Sequence, residues 1–196
     1  QNLTADPDNA NSVGQIYYNS TSGQFKAIKN GGAPIGSWSS GGNLNTAKYG
    51  AAGSGDASNA IVAGGSTSPY VATTEQYDGT SWTEVNDLNT ARGFFGGSNS
   101  SPYTASVVFG GATPTDTAAT EVWNGTSWTE VNDLNTARRG MGGAGASNTS
   151  ALVFGGQTPP APTFTVTAAT ESWNGSSWTE VNDLNNSKVS NSGTGT

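Results

Sequence analysis

One sequence template recurs three times at nearly even spacing, and this limits the chain to folds built from repeated units. Each copy contains an aromatic residue, an Asp-Gly or Asn-Gly pair, a tryptophan and the segment Val-Asn-Asp-Leu-Asn. The recurring tryptophans Trp82, Trp128 and Trp178 lie 46 and then 50 residues apart, and a fainter copy places Trp38 44 residues before Trp82. Each full copy also has an apolar run ended by two glycines, at 61–65, 107–111 and 152–156.

The third copy shows what one repeat folds into. Segment 139–146 is small and extended, the apolar run 151–154 predicts a strand buried on both faces, and 167–173 predicts a third strand. Asn174-Gly175 predicts a type I′ hairpin turn, which needs positive φ at both central residues, and 177–181 is then the return strand. Four short antiparallel strands in one repeat predict a β-propeller blade.

These motifs resemble the kelch repeat, in which a hydrophobic strand ends in Gly-Gly and an aromatic residue precedes a turn and a tryptophan. The resemblance covers about 36–196, and the linker Asn-Asp-Leu-Asn-Thr-Ala-Arg is similar to kelch-like arrays encoded by marine bacteriophages. Residues 14–26 are similar to a short hairpin motif of phage tail-fibre and other virion structural proteins. The resemblance implies a structural protein of a virus particle.

The expected fold is therefore all-β: a kelch-like β-propeller with three full four-stranded blades and a fourth blade shared by the N- and C-termini. We expect an N-terminal segment at 1–35 that supplies the late strands of the shared blade, and kelch-like repeats over 36–196. The blades are predicted near 47–88, 91–134 and 137–184, with a closing strand at 188–196. A fragment of a longer propeller is the alternative.

Composition excludes several kinds of function. The chain has no cysteine and no histidine, so it lacks thiolate chemistry, disulfides and the commonest general base and metal ligand. Fourteen acidic residues against seven basic ones give a net charge of −7, and the basic residues form no patch for a phosphate backbone. No run has membrane-spanning length. We expect no cofactor, no metal, no nucleic acid and no membrane insertion.

The recurring residues have a structural and a functional interpretation. Recurrence predicts one contact per blade between Glu and Arg or Lys, although ringed carboxylates could also hold calcium, and paired carboxylates could hydrolyse a glycosidic bond. The glycine pairs predict close strand packing rather than an anion cradle, and the tryptophans predict packing between blades rather than stacking on sugars. The recurring ionic residues are Glu75, Glu121 and Glu171, with Lys48, Arg92, Arg138 and Lys188.

Binding is better predicted where the repeats differ, because loops on a rigid scaffold carry specificity. From the second glycine of the pair to the recurring Glu there are ten residues in the first two copies and fifteen in the third. Alternating strand direction places these loops on the same face as the connectors between blades. The candidate binding residues on this face are Tyr70, Asp116, Gln157, Pro159, Pro160 and Phe164.

We therefore expect a non-enzymatic virion structural or appendage protein, tail-fibre-like, whose propeller contacts protein or glycan at the host cell surface. Its expected partners are other virion proteins, a host surface glycan or protein, and further copies of itself in a homo-oligomer. The expected location is the extracellular virus particle. One alternative is a secreted adhesin or cell-surface binding module, and a second is a glycan-active propeller enzyme.

Overall fold

The computed structural model describes residues 2–3, 16–27, 40–159, 163–190 and 193, and it divides into two compact units, 1–41 and 42–196. All regular structure in these residues is β-strand, and they contain no helix. A helix capable of crossing a membrane is accordingly absent from the described ranges. The all-β class predicted from the repeat is confirmed.

The first unit contains one small sheet. Strand β1 (Asn2–Leu3) runs parallel to β2 (Ile16–Asn19), which pairs with the antiparallel strand β3 (Gln24–Ala27). The turn between β2 and β3 is closed by the Gly23 amide, which donates to the Asn19 carbonyl at 2.8 Å. This hairpin covers 16–27 and so overlaps the segment 14–26, whereas 28–35 lies outside the described residues.

The second unit contains three four-stranded antiparallel sheets, each with sequential strands as neighbours. Each sheet lies within one predicted blade range. The first sheet comprises β4 (Ala52–Gly55), β5 (Ala60–Ala63), β6 (Thr74–Tyr77) and β7 (Trp82–Val85). The second comprises β8 (Gly96–Gly97), β9 (Val107–Phe109), β10 (Thr120–Trp123) and β11 (Trp128–Val131). The third comprises β12 (Gly142–Ser147), β13 (Ser150–Phe154), β16 (Thr170–Trp173) and β17 (Trp178–Val181), with the two-stranded ribbon β14 (Gln157–Thr158) and β15 (Thr165–Val166) inserted.

The first strands of successive sheets pack closely, and glycine makes this possible. A Cβ on Gly143 would clash with the carbonyl of Gly97 in β8, and a Cβ on Gly97 would lie 3.2 Å from the Cβ of Ala52 in β4. Gly193 repeats the arrangement, since a Cβ there would lie 2.9 Å from the Gly143 carbonyl oxygen. The backbone at Gly193 therefore lies beside the first strand of the third sheet, as Gly143 lies beside the first strand of the second sheet.

A ladder of backbone hydrogen bonds also joins successive repeats. The Phe94 amide donates to the Gly50 carbonyl at 2.8 Å, Gly140 to Phe94 at 2.8 Å, and Ser190 to Gly140 at 2.7 Å. All four residues have positive φ, between 56° and 64°. This conformation suits glycine but is uncommon for phenylalanine and serine.

Two of the recurring tryptophans, Trp128 and Trp178, pack between sheets. Trp128 is buried against the first sheet and donates its indole N–H to the Thr74 hydroxyl at 3.1 Å. Trp178 is buried against the second sheet and donates to the Thr120 hydroxyl at 3.0 Å. Because each indole satisfies its donor on the neighbouring sheet, these two rings hold adjacent sheets in register.

The predicted burial of 151–154 on both faces is wrong. Strand β13 alternates, with Val153 fully buried and Leu152 36% exposed. The matching strand β9, in contrast, is buried at all three residues. The second sheet lies between two others, whereas among the described residues of this unit the third sheet has a neighbouring sheet on one side only.

The predicted type I′ turn at Asn174-Gly175 is also wrong. Trp173 pairs with Trp178, so four residues form the loop, and only Gly175 has positive φ. The Asn174 side-chain oxygen accepts hydrogen bonds from the amides of Ser176 and Ser177, both at 2.9 Å. Asn174 therefore stabilises this loop through its side-chain oxygen, which forms an Asx turn, and not by adopting positive φ.

The connector into each sheet is held by a pair of Glu with Arg or Lys, as the recurring residues predict, and the structure shows that the pair is buried. Glu121 binds Arg92 with one oxygen, and its other oxygen accepts from the amide and side chain of Asn89, both at 2.8 Å. Arg92 is fully buried and also donates to the carbonyls of Ala119 and Gly110, at 2.6 and 3.4 Å. The carboxylate thus fastens both ends of connector 89–92.

The other two sheets repeat this clamp. Arg138 pairs with Glu171 at 2.7 Å, and Lys48 pairs with Glu75 at 3.2 Å, with all four side chains essentially buried. Burial raises the pKa of Glu75, but hydrogen bonds and charge from Asn45, Lys48 and Thr46 outweigh it and leave the pKa below its usual value.

Glu121→Gln should strongly destabilise the second unit. The change leaves the Arg92 charge buried without a counter-ion, and removing one partner of a buried pair costs about 3–5 kcal/mol. Urea denaturation measures this as a fall in the free energy of unfolding. Glu130 is paired with Glu121 in register but is exposed, so Glu130→Gln is the matched control and should change stability by less than about 0.5 kcal/mol.

Glu75 should contribute to acid unfolding. Because its folded-state pKa lies below its unfolded value, its stabilising contribution is present above the unfolded pKa and is lost as pH falls through the folded pKa. The difference in unfolding free energy between the wild type and Glu75→Gln should therefore shrink as the solution is acidified through that window. A difference independent of pH would contradict the expectation, and exposed Glu84→Gln is the control.

Candidate functional site

Connectors and second-to-third-strand loops meet on one face of the second unit. Isolated bridges pair Tyr49 with Ser66 and Gly93 with Ala112, and Arg139 pairs with Gln157 in the same way. We define the loop face as connector residues Tyr49, Phe94 and Arg139 together with loops 66–70 and 112–116 and the described part of 157–166. The face is therefore built from the segments at which the repeats differ.

Three aromatic rings cluster on the loop face around Phe94. The Tyr49 and Phe94 ring centroids are 5.8 Å apart with planes at 65°, and the Tyr70 ring lies 6.3 Å from Phe94 at 88°. Hydrogen bonds with the hydroxyls of Ser66 and Ser68 lower the pKa of Tyr49. We call Tyr49, Phe94 and Tyr70 the aromatic platform.

A second group on the loop face is centred on Arg139. Its guanidinium lies 4.1 Å from the centroid of the Phe164 ring, and its Nε is 3.4 Å from the Asp116 carboxylate. The Asp116 side chain is only 3% exposed, and one of its oxygens accepts no hydrogen bond from any described residue. Burial raises the pKa of Asp116, and the charge of Arg139 opposes that shift.

The long third loop extends the same pairing as a ribbon. Gln157 pairs with Val166 and Thr158 with Thr165, where the shorter loops make single bridges. The ribbon is anchored to the connector, since the Gln157 amide donates to the Arg139 carbonyl at 2.9 Å. The paired base of the ribbon is thus fixed to the connector.

The structure brings the candidate binding residues into two groups. Tyr70 belongs to the aromatic platform, whereas Asp116, Gln157 and Phe164 all contact Arg139. Pro159 is exposed at the end of the ribbon, and Pro160 lies outside the described residues. What this face binds stays a prediction.

Sequence reasoning missed Tyr49, Phe94 and Arg139, which complete both groups. A signal for them was present: they fall one or two residues after the connector cation, at positions where other copies have glycine or a different residue type. Gly93 corresponds to Tyr49 and Arg139, while Gly50 and Gly140 correspond to Phe94. Loop length does not reveal these positions, because there the repeats differ in residue type and not in length.

The recurring residues are already engaged inside the scaffold. The ionic pairs are buried, and the described residues contain no group of three or more acidic side chains placed to hold a metal ion. All six amides of the glycine pairs donate to backbone carbonyls, and the second amide of each pair donates to the next connector cation, Gly65 to Arg92, Gly111 to Arg138 and Gly156 to Lys188. An anion would therefore find none of these amides free.

Two open clefts lie away from the loop face. One, of about 540 Å³, runs between the first two sheets beside Glu84, Asn86 and Trp123. The other, of about 480 Å³, lies among the first-to-second-strand turns beside Asp56 and Tyr103. Neither includes a candidate binding residue.

Arg139→Gln should loosen the β14–β15 ribbon without unfolding the sheets. The change removes the cation that contacts Phe164 in the ribbon loop and pairs with Asp116 on loop 112–116, and the contact with Phe164 ties the ribbon to the connector. Hydrogen exchange followed by mass spectrometry should show faster exchange at 157–166, with unchanged protection in β9 and β10. Arg139→Lys keeps the charge and should give an intermediate effect, and unaltered exchange in both variants would count against this role.

No known protein family and no curated protein matches this sequence. Solved structures do share its fold. The chain is similar to the structure of YjhT, with a TM-score of 0.66 and 10% sequence identity over 90% of this chain. The match spans 64% of the YjhT chain, a β-propeller-like structure. At this identity the likeness concerns the fold alone, and the chain is an all-β protein with a propeller-like arrangement of antiparallel sheets.

Proposed function

We propose that this chain is a non-enzymatic binding scaffold of a bacteriophage particle, a tail-fibre-like appendage protein whose loop face contacts glycan or protein on the host cell. We also propose that the fold is a kelch-like propeller with a fourth blade shared by the termini. The placement of Ser190 and Gly193 on Gly140 and Gly143 supports a fourth repeat position.

One observation carries the proposal: side chains that recur in each repeat and side chains that do not recur lie in different parts of the structure. The recurring Glu side chains and their partners Lys48, Arg92 and Arg138 are buried in ion pairs, and Trp128 and Trp178 are buried between sheets. The non-repeating residues Tyr49, Phe94, Asp116, Arg139 and Phe164 gather on the loop face. A scaffold that repeats while one face varies is the arrangement of a binding protein.

The same observation argues against catalysis at the recurring carboxylates. Glu121 and Glu171 are buried, and each carboxylate is already occupied by an arginine and an asparagine. A carboxylate in this state has no free oxygen for a sugar or a water molecule. Turnover of any oligosaccharide that is abolished by Glu171→Gln in a protein shown to remain folded would contradict the non-enzymatic assignment.

The viral part of the proposal rests on the kelch-like phage repeats and the tail-fibre-like hairpin motif in the sequence. We further propose that the chain acts as a homo-oligomer, because several copies on one particle would strengthen weak individual contacts. A gene neighbourhood with capsid, portal or tail genes supports a virion protein. A neighbourhood of secretion or cell-wall genes would instead support an adhesin.

Deletion of 159–164 should weaken binding of the protein to host cells or to glycans on an array. The deletion removes six residues from a loop that is five residues longer than the other two, while Gln157 and Val166 remain available to pair. Binding is measured on labelled cells and on the array, with folding checked by circular dichroism. Shortening the turn at 147–150, between β12 and β13, is the control; equal loss in both variants would remove the third loop from the binding site.

A further inference from the structure

We propose that the aromatic platform is a subsite for one uncharged pyranose ring, which stacks on the Phe94 ring and contacts the Tyr49 ring beside it, whose plane is inclined by 65°. This inference rests on the proposed function, since it names the ligand class of the loop face. The proposed ligand is a neutral glycan and not a protein.

The platform offers the apolar surface that a sugar ring requires. Tyr49 is 56% exposed and Phe94 39% exposed, although both are large and hydrophobic. Tyr70 is half-buried and meets Phe94 edge to face, so it restricts the orientation of the Phe94 ring. The C–H face of a pyranose matches an exposed ring of this kind, and the fixed ring loses little freedom on binding.

The backbone at Phe94 is strained. Its φ is 58°, and the corresponding residues Gly50 and Gly140 adopt the same conformation with φ of 64° and 63°. A bulky residue in this region is strained, and such strain concentrates at functional sites. Glycine would serve the backbone ladder equally well, so the ring itself is what Phe94 adds.

Polar groups at the edge of the platform suit the hydroxyls of a sugar. The Tyr49 hydroxyl interacts with Ser66 and Ser68, and exposed Ser68 and Thr67 lie on the same loop. A binding site for a small polar ligand typically combines an aromatic surface with a few oriented polar groups. The hydroxyls here can both donate and accept hydrogen bonds, as a sugar requires.

Charge favours an uncharged sugar over an acidic one. The cations beside the platform in sequence, Lys48 and Arg92, are fully buried against Glu75 and Glu121. Arg139 is held by Asp116 and Phe164, and the whole chain carries a net charge of −7. A sialylated or sulfated glycan would meet an unfavourable field with these three cations already paired.

Area favours a sugar over a protein partner. An aromatic side chain buries about 150–250 Å² in total, so the partly exposed rings of Tyr49 and Phe94 offer on the order of 200 Å². A stable protein interface needs about 800 Å² on each partner. Two rings can cover one pyranose, whereas they supply a small fraction of a protein interface.

The test compares Phe94→Gly with the wild type. Glycine is the residue that the neighbouring repeats use at this position, so the variant should keep the backbone ladder and lose only the ring. Saturation-transfer NMR and titration use the methyl glycosides of glucose, galactose, mannose and N-acetylglucosamine, and an array adds neutral, sialylated and sulfated oligosaccharides. We expect at least one neutral glycoside to bind, with affinity about tenfold weaker in Phe94→Gly.

Tyr49→Ser is the second variant and should also weaken binding, because it removes the neighbouring ring while its backbone pairing with Ser66 is kept. Phe25→Ser removes a 78% exposed ring from the first unit and should leave affinity unchanged. Melting curves confirm that each variant is folded.

Three results would overturn the subsite. They are binding of no neutral glycoside by the wild type, preferential binding of acidic glycans, or equal affinity in the wild type and Phe94→Gly. The last result, combined with loss of array binding on deletion of 159–164, would reject the platform and leave the proposed function standing. Loss of host-cell binding on that deletion without any glycan binding would identify a protein receptor and likewise reject the platform.

Discussion

The buried clamp between connector and sheet is the interaction on which the rest of the structure depends. In the second sheet, Glu121 holds Arg92 with one oxygen and Asn89 with the other, so both ends of a four-residue connector are fixed to the third strand. A charge this deep is tolerated because Arg92 also donates to the Ala119 and Gly110 carbonyls. The clamp directs the chain from the outer strand of one sheet to the inner strand of the next.

This clamp explains how a chain with so little aliphatic and phenylalanine content can order itself. Leu, Ile, Val and Phe together make up about a seventh of the residues. The first strands approach closely because Gly97 and Gly143 carry no side chain, and Trp128 and Trp178 fill the space between outer strands. Polar contacts with fixed geometry therefore set the register of the sheets, while a few large rings supply the apolar burial.

The clamp also frees the adjoining residues to vary. Because Arg92 and Arg138 fix the connector, the next two positions can change without loss of the ladder that joins Gly50, Phe94, Gly140 and Ser190. Those positions and the loops beside them carry the aromatic platform and the Arg139 group. Scaffold and loop face are adjacent in sequence and differ in their contacts: the buried contacts of the scaffold recur from repeat to repeat, whereas those of the loop face differ between repeats.

The sequence by itself determined the repeat, the all-β class, the ionic pairing and the face on which Tyr70, Asp116 and the third loop lie, because each follows from spacing and strand direction. Only the tertiary structure decided that Leu152 is exposed, since burial depends on whether a further sheet covers β13. It also decided that Asn174 forms an Asx turn and that Phe94 and Arg139 complete the loop face. These outcomes depend on contacts between repeats, and a periodic pattern within one repeat carries no information about its neighbours.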